Sequence, residues 1–268
     1  MTGLVSDIQM KRSFLCIFAC FKNQSTPKPD MKIALIGYGK MGHQIEQIAL
    51  ERGHTIVSII DVNNASDFDS DEFKSADVAI EFSTPDSAIS NYRKCFEAHV
   101  PVVAGTTGWL DHMDEVKAAC ANGNQTFFYA SNYSLGVNIF FALNKYLAKI
   151  MNQYPAYDVK MEEVHHIHKL DAPSGTAITL AEGIIENIER KDRWHLEKED
   201  KPSDVAIHCI REGEIPGIHE IIYESEADVI SIKHDAKSRK GFALGAVLAA
   251  EFTNGKKGFL GMDDMLNF

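Results

Sequence analysis

The chain has 268 residues, 45% hydrophobic and 24% charged, a balance typical of globular proteins with one large core or two modest ones. Its formal net charge of −11 argues against nonspecific binding to nucleic acid or an anionic membrane as a primary role. Five scattered cysteines (Cys16, Cys20, Cys95, Cys120 and Cys209) include no CxxC pair, which argues against a zinc ribbon or disulfide scaffold and points to free thiols in a reducing cytoplasm.

Residues 1–30 read as an extension. Lys11-Arg12 precede a short apolar run, Phe14 to Phe21, and then a polar stretch, Lys22 to Asp30. The run is too short to span a bilayer, and no convincing small-x-small cleavage site follows it. Met31, which opens directly into a strand, reads as the working start.

Ile33-Ala34-Leu35-Ile36 is an apolar run suited to a strand buried on both faces. Gly37-Tyr38-Gly39-Lys40-Met41-Gly42 follows it. The next helix carries Met41, Ile45, Ile48 and Ala49 on one face, with Gly53 at its C-terminal cap. In this strand–turn–helix context GxGxxG is a dinucleotide fingerprint. Its glycines serve a tight turn, close approach to a pyrophosphate and close helix–sheet contact, and the helix start offers free N–H groups to the phosphates.

A second strand, Thr55 to Ile60, ends at Asp61, 19 positions after Gly42, where a carboxylate can accept hydrogen bonds from both ribose hydroxyls. No basic residue in Asp61-Val62-Asn63 would balance a 2′-phosphate, so NADH is the favoured cofactor. Lys40 is the candidate that would admit NADPH.

Strands at Val78 to Phe82, Val100 to Ala104 and Phe127 to Ala130 follow, separated by helices starting near Asp86 and Asp111. This alternation predicts a Rossmann-like α/β fold, a doubly wound parallel sheet. Gly105-Thr106-Thr107-Gly108 and Ala130-Ser131-Asn132-Tyr133 follow strand ends, the edge at which such sheets bind ligands. They are either nucleotide contacts or simple turns.

After Asn132 the rhythm changes. A helix over Val137 to Met151, a strand over Tyr157 to His165 and a helix over Gly175 to Glu189 lead to three β-like runs, Val205 to Ile210, His219 to Tyr223 and Val229 to Lys233. Clustered strands predict a second α+β domain on a mixed or antiparallel open sheet, of a kind that often mediates oligomers. The apolar helix Phe242 to Phe252 needs a partner and is expected to pack back on the first unit. The expected division is a dinucleotide-binding domain, 31–132 with 241–268, and a substrate-binding and oligomerisation domain, 133–240.

Glu163-Val164-His165-His166-Ile167-His168-Lys169-Leu170-Asp171-Ala172-Pro173-Ser174-Gly175-Thr176-Ala177 is the stretch richest in chemistry. Pro173 keeps Ala172 extended, so the next helix starts at Ser174, leaving the N–H groups of Gly175, Thr176 and Ala177 free for a carboxylate. Lys169 adds charge, and a histidine can carry a proton near neutral pH. Three readings of the histidines compete. One is structural; one is a metal site of His165, His166 and His168, which strand alternation disfavours; the third is acid–base work on an anion. The last is preferred because the cluster ends in an anion-binding helix start.

The stretch from His165 to Ala177 resembles the signature of the dihydrodipicolinate reductase family. The resemblance runs from Met31 to the C-terminus through Glu81-Phe82-Ser83-Thr84-Pro85, Gly105 to Gly108, Ala130 to Tyr133 and Arg211-Glu212-Gly213. It implies a homotetrameric, cytoplasmic, NAD(P)H-dependent reductase of lysine and diaminopimelate biosynthesis acting on a small dicarboxylate. His165 corresponds to the family's proton donor or acceptor and Lys169 to its proton donor. His166 corresponds to a substrate contact, and Ser174, Gly175 and Thr176 to the turn that cradles the substrate carboxylate. Gly105 to Thr107 and Ala130 to Tyr133 correspond to nucleotide contacts. The family's glycine loop is often one residue longer than Gly37 to Gly42, and Val164 stands where alanine is common. Two other readings stay open: another two-domain reductase of amino or oxo acids, and a non-catalytic nucleotide sensor.

Overall fold

The computed structural model describes residues 30–122, 124–197, 201–238 and 240–267. Apart from Asp30, the expected extension lies outside the described residues, as do Cys16 and Cys20.

The first half alternates β1 (Lys32–Ile36), α1 (Lys40–Glu51), β2 (Thr55–Ile60), a 3₁₀ turn (Ala65–Asp69), α2 (Asp71–Lys74) and β3 (Val78–Glu81). It continues with α3 (Pro85–Glu97), β4 (Val102–Ala104), α4 (Met113–Asn122) and β5 (Thr126–Tyr129). With β11 (Gly258–Leu260) these strands form a six-stranded sheet, ordered β11-β5-β4-β3-β1-β2, whose pairings are all parallel. Alternate residues of each strand face different cores. Ile33, Leu35 and Ile80 join one, and Ala34, Ile36 and Ala79 the other. Burial on both faces is why these strands read as unbroken apolar runs. The chain leaves β1 for β2 and returns to β3 on the other side, so the C-terminal ends of β1 and β3 flank the switch point.

The second half holds α5 (Leu135–Met151), β6 (Asp158–His165), α6 (Gly175–Ile185), β7 (Arg193–Leu196), β8 (Asp204–Arg211), β9 (Ile218–Glu224) and β10 (Val229–Asp235). The five-stranded sheet is ordered β10-β9-β6-β8-β7. It is mixed: β6 runs parallel to β8 and antiparallel to β9. Phe140 and Ala148 of α5 and Leu180 and Ile184 of α6 cover one face of it, over Val159, Met161, Ile207 and Tyr223.

The helix α7 (Lys240–Thr253) does return to the first sheet. It buries Ala243, Ala246, Val247 and Ala250 against the core of Ile33 and Leu35. Its buried Glu251 accepts from Arg52 at 2.6 and 3.0 Å and lies 3.0 Å from His54 Nε2, tying α7 to the turn between α1 and β2. A short helix, α8 (Met262–Leu266), ends the described chain.

Several expected boundaries move. Val100 precedes β4 because Pro101 has no N–H to give a ladder, although its carbonyl accepts from Ala79 at 2.8 Å. The helix expected from Asp86 starts at Pro85, whose fixed φ and missing N–H suit a first helical position. Helix α6 stops at Ile185 rather than Glu189, where Ile184 O takes Asn187 N and Ile188 N in a closing turn. The strands β7 and β11 were not expected. Both are short and owe their existence to a neighbour, β8 and β5 respectively.

Candidate active site

A cleft of about 440 Å³ opens at the switch point, lined by Gly39, Lys40, Met41, Phe82, Ser83, Pro85, Gly105, Thr106 and Thr107. Gly37 has φ +88°, and a Cβ there would lie 2.1 Å from the Phe82 carbonyl oxygen. At Gly42 a Cβ would lie 2.5 Å from the Gly37 carbonyl oxygen. These two glycines let the turn close, whereas a Cβ at Gly39 would meet nothing within 4 Å. The start of α1 has neither an acidic residue in its first turn nor a side-chain cap, so its N–H groups remain open to an anion.

Beneath the cleft lies Glu81, which is fully buried. It accepts from Ser83 N at 3.1 Å, Thr106 Oγ1 at 2.9 Å, Tyr92 Oη at 3.1 Å and the Ser83 hydroxyl. Thr106 Oγ1 in turn accepts from Ser83 N at 2.8 Å, which ties the loops after β3 and β4 together. Burial pushes the Glu81 carboxyl up, and these hydrogen bonds only partly oppose it.

The residues expected at the nucleotide divide accordingly. The side chain of Thr106 is committed to Glu81, leaving its backbone for any ligand. Tyr133 is buried and donates to Ala104 O at 2.7 Å, so its ring pins one loop to the next strand end instead of facing the cleft. Tyr38 donates to Glu46 and lies against His43. Asp61 is exposed at the end of β2, accepting from Val62 N at 2.8 Å. Ala130 is buried and Ser131 exposed. Asn132 Nδ2 donates to Thr176 Oγ1 at 3.4 Å, joining the loop after β5 to the start of α6.

On β6, Glu163 and His165 are two residues apart and share a face. Register supplies their neighbours. Glu163 lies opposite His219 of β9 and Cys209 of β8, and His165 lies opposite Arg211. Glu163 is fully buried and accepts from Ser174 N at 3.2 and 3.1 Å and from Arg211 Nη2 at 2.9 Å, with His219 Nε2 at 3.7 Å. Burial pushes its carboxyl up, but hydrogen bonds from His219, Ser174, Arg211 and Cys209 outweigh it and hold the group well below the usual carboxylate range.

His165 is buried, with its ring 5.1 Å from that of His219 and its Nδ1 without a hydrogen-bond partner. Burial lowers its pKa to about 4. His219, Lys169 and Arg211 add to the shift and Glu163 opposes it, so the imidazole is neutral at physiological pH. The ring packs on Gly217, where a Cβ would lie 3.0 Å from Nε2.

Lys169 Nζ donates to both Asp171 carboxylate oxygens, at 2.8 and 2.9 Å, while Arg211 Nη2 donates to Asp171 O at 2.7 Å. The other histidines diverge from His165. His166 has a buried, unpartnered Nδ1, and His168 faces outward, 3.2 Å from Glu214. The trio of the disfavoured metal reading, His165, His166 and His168, is not the one whose ligand atoms converge. A different trio, Glu163, His165 and His219, has ligand atoms within 4.8 Å of one another. Its carboxylate already accepts from the Arg211 guanidinium and the Ser174 N–H, an arrangement suited to a hydrogen-bonded hub.

Ser174 caps α6, its Oγ accepting from Ala177 N at 3.2 Å and lying 3.1 Å from His219 Nε2. The expectation of three free N–H groups is thereby corrected to two. Ala177 N–H is used by the cap, and those of Gly175 and Thr176 have no acceptor among the described residues. The space beside Gly175 is open.

No role was read from the sequence for Glu163, Asp171, Arg211, Gly217 or His219. Glu163 could have been found, since strand alternation places it beside His165. His219 and Arg211 come into place only through strand register.

Residues 31–133 match the family model described as dihydrodipicolinate reductase, N-terminus, and residues 136–266 the model described as dihydrodipicolinate reductase, C-terminus. The 4-hydroxy-tetrahydrodipicolinate reductase of Christiangramia forsetii is 48% identical over 237 residues, covering 88% of this chain and 98% of that relative. A Staphylococcus aureus protein of the same name is 36% identical over 250 residues, covering 88% of this chain and all (100%) of its own length. Among solved structures, a dipicolinate-bound dihydrodipicolinate reductase from Paenisporosarcina sp. TG-14 aligns with a TM-score of 0.72 at 21% identity, over 88% of this chain and 98% of that one. An amine dehydrogenase from Mycobacterium smegmatis aligns with a TM-score of 0.55 at 11% identity, over 88% of this chain and 95% of that one. These two structural likenesses speak to the fold alone.

Proposed function

The chain belongs to the dihydrodipicolinate reductase family, and on that premise we propose that it works as a 4-hydroxy-tetrahydrodipicolinate reductase of lysine and diaminopimelate biosynthesis. It is an NAD(P)H-dependent oxidoreductase that converts its 4-hydroxy heterocycle to tetrahydrodipicolinate. One observation carries the reading. The start of α6 with its unpaired Gly175 and Thr176 N–H groups, Lys169 held by Asp171, and neutral His165 lie along one loop and its flanking ends, which Asn132 joins to the loop after β5.

The cofactor fits the first sheet. The open approach at Gly39 and the uncapped start of α1 suit a pyrophosphate, and Gly37 to Gly42 would hold it. Asp61 would accept from the ribose hydroxyls. Lys40 and Met41, the Gly105 to Thr107 backbone and the Ala130 to Tyr133 loop complete the contacts. When bound, the reduced nicotinamide supplies the hydride.

The chain's own residues handle the anion and the protons. Gly175 and Thr176 N–H groups, with the Ser174 turn, hold a substrate carboxylate at the positive end of α6, and His166 adds a contact. Water leaves the 4-hydroxy ring, and hydride reaches the conjugated ring. Lys169, held by Asp171 in this structure, protonates the enamine that results. His165, neutral before substrate binds, takes up and returns a proton as the ring's charge changes.

In this reading residues 31–132 with 241–268 hold the nucleotide, and 133–240 hold the substrate and build a homotetramer through the second sheet. Cytoplasmic residence fits the cysteine usage, and among the described residues no helix is long and apolar enough to cross a membrane. Asp61 favours NADH over NADPH.

Oxidation of NADH, supplied with the condensation product of aspartate semialdehyde and pyruvate, tests the function. Absence of turnover would sink it. A strong kinetic preference for NADPH in the same assay would overturn the reading of Asp61.

A further inference from the structure

We propose that Glu163 is a positioning residue whose single carboxylate anchors the middle and the far end of the loop that carries Lys169 and presents the Gly175–Thr176 cradle. The inference deepens the proposed function and rests on it. Glu163 touches no reacting atom in that scheme; it acts through its neighbours.

The anchoring can be followed bond by bond. At the far end of the loop, Ser174 N donates to both carboxylate oxygens, at 3.2 and 3.1 Å. That contact places the first residue of the α6 cap, and therefore the direction of the two free N–H groups after it. At mid-loop, Arg211 Nη2 bridges Glu163 Oε1, at 2.9 Å, and Asp171 O, at 2.7 Å. Asp171 holds Lys169 Nζ. A third arm runs through His219, whose Nε2 lies 3.7 Å from Glu163 and 3.1 Å from Ser174 Oγ. His165 stands two residues along the same strand, 3.7 Å from Glu163 Oε2. The proton-bearing groups and the carboxylate-holding turn thus share one rigid point of attachment on β6, a strand paired on both sides.

Only a carboxylate satisfies this arrangement. Two donors hold it directly, the Ser174 N–H and the Arg211 guanidinium, with His219 Nε2 3.7 Å away. An amide of the same shape has one oxygen to accept with, and its NH₂ must face a donor. Glu163→Gln therefore keeps the packing and releases at least one of these two attachments of the loop.

The experiment compares wild type with Glu163→Gln in three readouts: steady-state kinetics, NADH affinity by fluorescence, and calorimetric binding of pyridine-2,6-dicarboxylate in the presence of NADH. The anchor predicts that kcat/KM for the substrate falls by about 100-fold and dicarboxylate affinity by about tenfold, the scale of losing hydrogen bonds to a charged group. NADH affinity should stay within about twofold, since the nucleotide cleft lies on the other sheet. A folded E163Q with wild-type kcat/KM and dicarboxylate affinity overturns the proposal, as does a parallel loss of NADH affinity, which would mark general damage to the fold.

If E163Q does not fold, Glu163→Asp, which keeps the charge but draws the carboxylate back by one methylene, is measured in the same way. Dicarboxylate affinity should fall by about fivefold, and an unchanged affinity overturns the proposal. Wild-type protein that binds the dicarboxylate without turnover would defeat the proposed function, while the anchor would still be decided by the binding comparison.

Discussion

Glu81 and Glu163 are both fully buried carboxylates, one in each sheet, yet their pKa values move in opposite directions. Burial raises both. Glu81 meets only neutral donors, the Ser83, Thr106 and Tyr92 groups, and burial wins. Glu163 meets a guanidinium, a helix-start N–H and a histidine, and the donors win. The difference separates two ways of building a site. The cleft at the switch point is shaped by backbone, through turns that only glycine allows and hydroxyls that tie loop to loop. The neighbouring site is organised by charge, with the Arg211 guanidinium and a helix-start N–H drawn to one carboxylate.

The largest test of this contrast is Lys169→Ala. As a proton donor in the charged site, its loss should lower kcat by about 10²–10⁴-fold while NADH affinity stays as it was. Near-normal turnover would refute the assignment and with it the division of labour between the sheets. Gly217→Ala is a smaller probe. At φ +156° alanine strains the backbone there, and its new Cβ would press on His165 Nε2, so kcat should fall by about tenfold, because small displacements of an acid–base group are costly. An unchanged kcat would show that the ring does not depend on that floor.

The smallest effect bears on the carboxylates themselves. Glu163 is depressed, so its contribution to stability is complete above its ordinary value of 4.5 and is lost as pH falls below that value. Glu81 is raised, so its contribution is complete below 4.5 and is lost as pH rises through its own higher value. Calorimetry across the acid range should therefore show the Tm deficit of Glu163→Gln growing toward neutrality and that of Glu81→Gln shrinking. Differences of about 2–4 °C are expected for a chain of this size. Parallel pH dependence in the two variants would end the comparison.

Much of the fold was legible because its signals are local. The run Ile33 to Ile36, the glycines that follow it and Asp61 at the end of β2 state strand, turn and acceptor within about 30 residues, the span of one βαβ unit. The return of α7 to the first sheet was readable from its apolar composition. The short strands β7 and β11 were not, since neither carries a periodic pattern long enough to stand apart from a loop. At the candidate site, His165, Lys169 and the Ser174-Gly175-Thr176 turn were legible from their crowding. That the side chains of Thr106 and Tyr133 turn inward, to Glu81 and to Ala104 O, was not legible.

By itself, then, the sequence determined the parallel sheet, the glycine turn after β1, the helix start at Ser174 and the family. Tertiary structure alone decided which charges meet. Arg211 and His219 lie 48 and 56 positions beyond Glu163, and reach it because β6 takes β8 on one side and β9 on the other in a particular register. A shift of one residue in either pairing would turn that partner to the opposite face of the sheet, and nothing in the local pattern around Glu163 records the choice.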